Sequence, residues 1–475
     1  MTAYELASQP SQTQIASLAA QLRGALGDDC VRTGTEIGDK YLGDWSDEKG
    51  GRPAILVLPR ETADVSRALA LCHAAHHPVV PQGGLTGLAG GAVPAHGSVV
   101  LSMERMSGIL ELDPDSATLT VLAGTPLQAI QDAAAAAGFL CGLDLGARGS
   151  CQIGGNISTN AGGNRVIRYG MTRDLVLGLE AVLADGTVLS MMNKMSKNNT
   201  GPDLKQLFIG SEGTLGVVTR AVLRLHPGIS GANTALLALR DFDAALLLLR
   251  HARQSLSGLV SAFEVMWADY YQAATTAGGV RAPLAADYPL YVLLDMQSPH
   301  PEDDAARFES VLEHALAEGW ALDAAIAQSH GDAEDFWALR DSIAEMLHSL
   351  TPTINFDVSV PIARIGVCVE RMRAAMNTQF PDIRHMYFGH VGDGNVHIVV
   401  GPLPQDEGRT EHTVEAAFYG IVRDLSGSVS AEHGIGLHKR PWLAYSRSPA
   451  EIALIRTLKQ ALDPNGIMNP GKIVA

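Results

Sequence analysis

His390 and His397 flank the dipeptide Asp393-Gly394, and a second polar pair, Glu432-His433, follows farther along the chain. Asp-Gly is the strongest short signal for a two-residue hairpin turn, because glycine takes the positive φ that type I′ geometry demands. A turn centred there sets Gly392 opposite Asn395, Val391 opposite Val396 and His390 opposite His397. Cross-strand Cβ atoms stand roughly 5 Å apart, so two imidazoles can share one cation at about 2.1 Å from each nitrogen. Glu432 offers a third, oxygen ligand, and two imidazoles with one carboxylate suit zinc, iron or manganese alike. His433 stands beside that ligand and before the flexible Gly434, and its near-neutral intrinsic pKa suits a general base. The plain alternative is two histidines around an ordinary turn, followed by an exposed polar loop.

A third candidate is cationic. In Phe336-Trp337-Ala338-Leu339-Arg340-Asp341-Ser342-Ile343, helical spacing sets Arg340 on the apolar stripe with Phe336 and Ile343. A charge there needs a partner, and a substrate carboxylate held bidentately fits. A guanidinium snorkelling at the rim of the stripe is the alternative.

Two glycine-rich runs point to a phosphate-bearing ligand. Pro81-Gln82-Gly83-Gly84-Leu85-Thr86-Gly87 follows a strand, and its glycines let backbone amides approach an anion closely. It is neither G-x-G-x-x-G nor a Walker sequence, so Rossmann and P-loop readings fail on pattern. The run from Ser150 to Gly163 packs small and amide-bearing residues together, and Ile153 and Ile157 within it call for burial against something. A long surface loop is the plainer reading of either run.

Positioning these residues takes a large globular protein. The chain has 475 residues, 46% of them hydrophobic and 18% charged, which is enough for two to four domains with sizeable cores. Acidic residues outnumber basic ones, 51 to 35, and a net charge of −16 disfavours nucleic acid and anionic lipid as general partners. Five scattered cysteines without a C-x-x-C pair read as reduced, buried thiols. The start Met1-Thr2-Ala3-Tyr4-Glu5 lacks the character of a secretory signal, and no apolar run approaches the ~18 residues that span a bilayer. A cytoplasmic protein is expected, with peripheral membrane contact left open. Strands and helices alternate over the first part of the chain: an amphipathic helix through Ile15 and Leu22, a strand at Ala54–Leu58, and a helix from Thr62, the expected cap, to about Ala75. His226-Pro227-Gly228 reads as a boundary. Beyond it, a strand at Ala235–Leu239, a helix at Asp241–Leu256 and a strand at Tyr288–Met296 suggest a separate sheet, and a helix is expected over Pro449–Leu462.

Taken in order, Pro81-x-Gly-Gly-x-Thr-Gly87, Ile153-Gly-Gly-Asn156 with Asn160-Ala-Gly-Gly163, Arg168-Tyr169-Gly170, Gly210-Ser-Glu-Gly-Thr-Leu-Gly216, His390-x-Gly-Asp-Gly-Asn-x-His397, Glu432-His-Gly434 and Asn469-Pro-Gly-Lys472 closely resemble the FAD-linked 2-hydroxy-acid dehydrogenase family. That family includes D-2-hydroxyglutarate dehydrogenase, D-lactate dehydrogenase and the glycolate oxidase D subunit, and the likeness runs from about residue 30 to the end. It implies an α+β protein: a two-lobed vanillyl-alcohol-oxidase-type (PCMH-type) FAD-binding domain over 1–228, a ferredoxin-like substrate cap with the metal hairpin over 229–425, and a small helical segment, 426–475, returning to the FAD site. It implies that Pro81, Gly83, Gly84, Leu85, Thr86 and Gly87 hold the pyrophosphate. Gly149, Ser150, Ile153, Gly154, Asn156, Thr159, Asn160, Gly162 and Gly163, with Glu212, Gly213, Gly216, Val217 and Val218, would line the rest of FAD, and Asn469 would fold back near the flavin ring. Relatives that bind FAD covalently carry histidine in the place of Leu85, so noncovalent FAD is expected. The resemblance also implies Zn2+ on His390, His397 and Glu432, His433 as catalytic base, and hydride transfer from substrate C2 to flavin N5.

Two departures bear on the substrate. Relatives acting on D-2-hydroxyglutarate carry a hydroxylated residue and a lysine where this chain has Ala344 and Asn355. Losing an ammonium removes the counterion of a second carboxylate, so D-lactate or a more apolar 2-hydroxy acid is expected, bound by Arg340, Asn355 and His433. Hydroxyglutarate is the alternative, with Arg281 or Lys439 as the missing cation. An alkyl transferase on the same flavin scaffold and a metallohydrolase are the readings of other classes. The electron acceptor (quinone, electron-transfer flavoprotein or cytochrome) and a homodimer are left open.

Overall fold

A computed structural model describes residues 11–46, 48–276, 279–406 and 408–474. Residues 1–10, read above for a signal, and the side chain of Ala344 lie outside the described part. The chain forms two compact units. The first takes the chain up to Gly163, Gly170–Pro227 and the segment from Glu432 onward; the second takes Asn164–Tyr169 and Gly228–Ala431.

In the first unit, β1 (Val31–Thr33), β2 (Ile55–Val57), β3 (Val79–Gln82) and β4 (Val99–Ser102) make a sheet in the order β1-β2-β4-β3. β2, β4 and β3 run parallel and are almost wholly buried, which is why they read as unbroken apolar runs rather than alternating ones. The helix Thr62–Ala74 connects β2 to β3 along the chain. Its N-cap is Glu61 and not Thr62, whose hydroxyl instead donates to buried Glu180 at 2.6 Å. A second sheet is antiparallel, with β5 (Ile109–Asp113), β6 (Thr118–Leu122), β8 (Val176–Val182), β9 (Val188–Met191) and β10 (Val217–Arg224) in the order β5-β6-β10-β8-β9. The short pair β7 (Phe139–Leu140) and β11 (His226–Pro227) stands apart. The terminal helix spans Pro449–Leu462, and beyond it Met468 bridges Val79 in parallel, bringing the chain's end against β3.

The second unit is a seven-stranded antiparallel sheet. Its strands are β12 (Gly231–Leu239), β13 (Val260–Trp267), β14 (Leu290–Ser298), β15 (Ala321–Ile326), β16 (Ile354–Ser359), β17 (Arg384–His390) and β18 (Asn395–Gly401), in the order β15-β12-β14-β13-β17-β18-β16. The first four, with helices Phe242–Ser255 and Pro301–Ala317 as crossovers, follow the 4-1-3-2 order of a ferredoxin-like fold. β17, β18 and β16 extend that sheet on its β13 edge. Among the described residues, no helix is long and apolar enough to cross a membrane.

The β17–β18 hairpin departs from the expected register. Phe388, not His390, pairs with His397, and Val391–Gly394 form a four-residue connection in place of the two-residue turn. Asp393 N and Gly394 N donate back to His390 O and Val391 O at 3.1 and 3.3 Å. The Asp393 carboxylate accepts from Asn395 N at 3.2 Å, an Asx-type closure that competes with the I′ turn. Packing fixes the longer loop: Gly392 lies so close to Ile167 that a Cβ would meet its side chain at 2.4 Å, and Arg253 donates to the Gly392 carbonyl. The slip is two residues, so His390 and His397 keep a common face.

Candidate functional site

One face of the second unit's sheet gathers most of the chemistry. β13 brings Glu264 opposite His390 of β17, and Asp357 of β16 pairs with His397 of β18. The two imidazoles are diagonal neighbours, their centroids 5.2 Å apart and their planes at 87°, within the reach such neighbours allow. Phe388 lies against His397, with ring centroids 5.1 Å apart.

Arg340 stands near the end of helix His330–Asp341 and is 6% exposed. Its Nε donates to Glu264 Oε2 at 2.7 Å, and its Nη2 lies 3.3 Å from His390 Nε2. Glu264 Oε1 is 2.6 Å from His390 Nδ1. The guanidinium also lies over the Phe388 ring, 4.8 Å from its centroid. A guanidinium only donates and a carboxylate only accepts, so the imidazole proton belongs on Nδ1 and the Nε2 lone pair accepts from Arg340 Nη2. That is the tautomer a metal ligand needs. Burial alone would push the Glu264 carboxyl up, but the charges and hydrogen bonds of His390 and Arg340 bring it down to about 2.

Glu264 is absent from the sequence-based set. Its signal was a single carboxylate in the buried apolar strand Val-Ser-Ala-Phe-Glu-Val-Met-Trp, which is costly unless paired. Asn395 was also missed: it is 3% exposed, shares the His397 face, and neither atom of its amide has a hydrogen-bond partner among the described residues. Asn355, by contrast, is exposed and donates to Thr353 Oγ1 at 3.2 Å. Asp357 accepts from Ala431 N at 3.2 Å, and the next residue in the chain is Glu432.

Glu432 and His433 open the segment that belongs to the first unit. There Glu432 Oε1 accepts from Gly163 N at 2.7 Å. Glu212 holds the loop just after His433, its two oxygens accepting from Ile435 N and Gly436 N at 2.7 Å each. Both its oxygens are thus committed to the returning chain. Burial raises its carboxyl above the usual range, against the pull of those amides. Of the two cations named for a second carboxylate, Lys439 is 1% exposed in the first unit and Arg281 is exposed in the second.

The glycine-rich runs meet in the first unit. After β3, Gly84 passes so close to the Ser150 carbonyl that a Cβ would lie 2.1 Å from it. Leu85 takes a φ of +61°, rare for a branched side chain and costing about 1 kcal/mol. The amides of Gly84, Leu85, Thr86 and Gly87 donate to nothing among the described residues. Ser150–Gly163 is not a loop throughout: Ile153–Thr159 is a helix with Ile153, Gly154, Asn156 and Ile157 buried, ended by Asn160 at φ +51°. Thr159 Oγ1 donates to Gly155 O, and Asn160 Oδ1 accepts from Arg173 N. A Cβ on Gly163 would lie 2.0 Å from Asp144 O, and one on Gly213 would lie 3.1 Å from the Pro81 ring. Asn469 sits at the same place, its Nδ2 donating to Gly91 O and Glu212 O at 2.9 and 2.7 Å.

Comparison with known proteins decides the family. The model of "FAD linked oxidases, C-terminal domain" matches residues 230–473, and that of an FAD binding domain matches residues 53–191. A D-2-hydroxyglutarate dehydrogenase of Xanthomonas citri pv. viticola is 40% identical over 93% of this chain and 94% of its own. The chain belongs to the FAD-linked 2-hydroxy-acid dehydrogenases. A probable mitochondrial D-2-hydroxyglutarate dehydrogenase of Oryza sativa subsp. indica is 40% identical over 91% of this chain and 77% of its own. A putative mitochondrial D-lactate dehydrogenase of Schizosaccharomyces pombe is 36% identical over 92% and 84%. In fold, the structure resembles p-cresol methylhydroxylase with substrate bound, at a TM-score of 0.77 and 17% identity over 98% and 97% of the two chains. This dehydrogenase is therefore an α+β flavoprotein oxidoreductase acting on CH–OH, with FAD as cofactor. Its first unit suits that cofactor chemically. Four backbone amides without acceptors lie on the Gly84–Gly87 run, and the buried oxygens Gln152 Oε1, Asn156 Oδ1 and Asn469 Oδ1 accept from nothing among the described residues. Phosphates need the former, and ribityl and ring N–H or O–H groups the latter.

Proposed function

We propose that this dehydrogenase oxidises the C2 hydroxyl of a D-2-hydroxy acid bearing one carboxylate, D-lactate or a more apolar homologue, to the 2-oxo acid. The observation that carries the reading is the buried Glu264–His390–Arg340 cluster, which sets an imidazole of fixed tautomer beside a guanidinium with N–H groups to spare for a substrate carboxylate. His390 and His397 on one sheet face, with Glu432, are the ligands we infer for a divalent cation, zinc by family likeness. The orphaned amide of Asn395 beside them supports a polar occupant. When bound, the two groups supply an electron sink at the flavin ring and a positive charge that acidifies the substrate hydroxyl. His433 removes the hydroxyl proton at an imidazole nitrogen, Arg340 orients the carboxylate, and the apolar side chains of Phe388, Met266 and Val399 on the same sheet face exclude water from the reacting carbon.

FAD is held without a covalent bond at the loop, because Leu85 has no nucleophilic atom. Reoxidation falls to a quinone, an electron-transfer flavoprotein or a cytochrome, in a cytoplasmic setting. A second reading, D-2-hydroxyglutarate as substrate, is favoured by the names of the relatives in Xanthomonas and rice. Against it stands the neutral, exposed Asn355 in the place of a cation.

A panel of D- and L-2-hydroxy acids with an artificial dye acceptor, run before and after chelation, tests the reading. Higher kcat/KM for D-lactate or longer apolar D-acids is expected, with activity lost on chelation and restored by zinc. Preference for D-2-hydroxyglutarate would establish the second reading, and no flavin reduction by any 2-hydroxy acid would refute both.

A further inference from the structure

We infer that Glu264 is a positioning residue that serves the metal ligand and the substrate anchor with one carboxylate. The inference rests on the reading of His390 and Arg340 given above and adds a residue which that reading does not include. Glu264 is 1% exposed on β13, across the sheet from His390. Its two oxygens have different jobs: Oε1 takes the Nδ1 proton of His390 at 2.6 Å, and Oε2 takes the Nε proton of Arg340 at 2.7 Å.

The first contact fixes the tautomer. With the proton on Nδ1, the Nε2 lone pair is the only one the ring can offer, and Glu264 makes it a stronger donor by hydrogen-bonding the opposite nitrogen. The second contact fixes the fork of Arg340. Held by Nε on one side and stacked over Phe388 on its face, the guanidinium cannot rotate, so its Nη edge stays turned toward His390 Nε2, 3.3 Å away. An external carboxylate taken up by the remaining N–H groups of that fork would lie beside His390, one of the residues that would hold the cation. One carboxylate is thus the ion-pair partner of both groups. A glutamine at this place has one acceptor and one donor, so it can serve His390 or Arg340 but not both.

The test uses the full-length flavoprotein, stripped with chelator and titrated with Zn2+ against a chromophoric chelator, together with steady-state kinetics on D-lactate and D-2-hydroxyglutarate. Glu264→Gln is expected to weaken zinc binding by about 10- to 100-fold and to raise KM by about tenfold or more. The ratio of FAD to protein should not change, since the FAD cradle lies in the other unit. Wild-type zinc affinity together with wild-type KM in this variant would overturn the inference. Because glutamine strands the buried Arg340 charge and could prevent folding, the matched pair Glu264→Met with Arg340→Met removes both charges. Weakened zinc binding in that folded, yellow double variant supports the role at His390, and unchanged binding overturns it. If the wild type takes up no zinc, the metal reading falls and the His390 role with it. The KM of Glu264→Gln then still decides the role at Arg340, a rise supporting it and no change overturning it.

Discussion

Gly84→Ala is the most direct probe of the cofactor cradle. A Cβ at this position would lie 2.1 Å from Ser150 O and 2.8 Å from Cys151 Cα, both backbone atoms. Ordinary contact begins near 3.4 Å, so the Gly83–Gly87 loop and the Ser150–Cys151 segment must separate by about 1 Å. Neither side yields easily. Gln82 is pinned by Nε2 to Tyr41 O and Ala92 O, and Cys151 N is held by Ala147 O at 2.8 Å. Overpacking of this kind costs about 1–3 kcal/mol. Here the strain falls between the two runs that both face the cofactor, so most of it should appear as lost FAD affinity, about 5- to 150-fold. The assay is the ratio of flavin to protein absorbance after purification, followed by FAD titration of the stripped protein by fluorescence quenching. A variant that purifies with a full complement of FAD, wild-type affinity and unchanged melting temperature would refute the claim that these runs form one cradle.

Three other outcomes are expected. His433→Ala should lose flavin reduction by at least 100-fold while keeping FAD and zinc content, and retained reduction would remove His433 from the base role. Acid precipitation should leave a colourless pellet and a yellow supernatant, because Leu85 cannot hold the flavin; a yellow pellet would contradict noncovalent binding. Lys472 is buried and donates to Val93 O, and burial lowers its ammonium to about 8, only partly opposed by Asp44 and Glu212. An unfolded lysine titrates near 10.4, so between these values the unfolded chain binds more protons and stability rises with pH, by about 3 kcal/mol in all. The difference in urea midpoint between wild type and Lys472→Met should therefore move in favour of the wild type from pH 7.5 to pH 10, and a constant difference would refute the assignment.

What the sequence made legible was mostly collision-limited backbone. Gly84, Gly163 and Gly213 stand where any side chain would strike a neighbouring carbonyl or ring, and such positions stay visible in a single chain as glycine runs. Helix Ile153–Thr159 was illegible for the opposite reason. Glycine, asparagine, serine and threonine are poor helix formers, and the buried Ile153 and Ile157 override that local preference through tertiary contact. Glu264 was illegible because its meaning is nonlocal. It stands 126 residues before His390, and only the pairing of β13 with β17 gives it that partner. Nor does any local pattern announce that Asn164–Tyr169 packs with the second unit, where Arg165 meets Asp295 and Ile167 meets Gly392.

The histidine hairpin shows how a wrong local geometry can still lead to the right pair. Asp393-Gly394 called for a two-residue turn, and the side-chain closure from Asp393 to Asn395 N, backed by Ile167 and Arg253, made it four. Moving the register by two changes His390 and His397 from direct to diagonal neighbours, yet both side chains stay on one face because the strand repeats every two residues. A slip of one residue would have turned one ring to the opposite face and left no shared cation conceivable. On the outer side of each strand, His390 lies opposite Glu264 of β13 and His397 opposite Asp357 of β16. Those two pairings are set by β13 and β16 and not by the turn, so the acidic neighbours of both rings survive the change of register between β17 and β18.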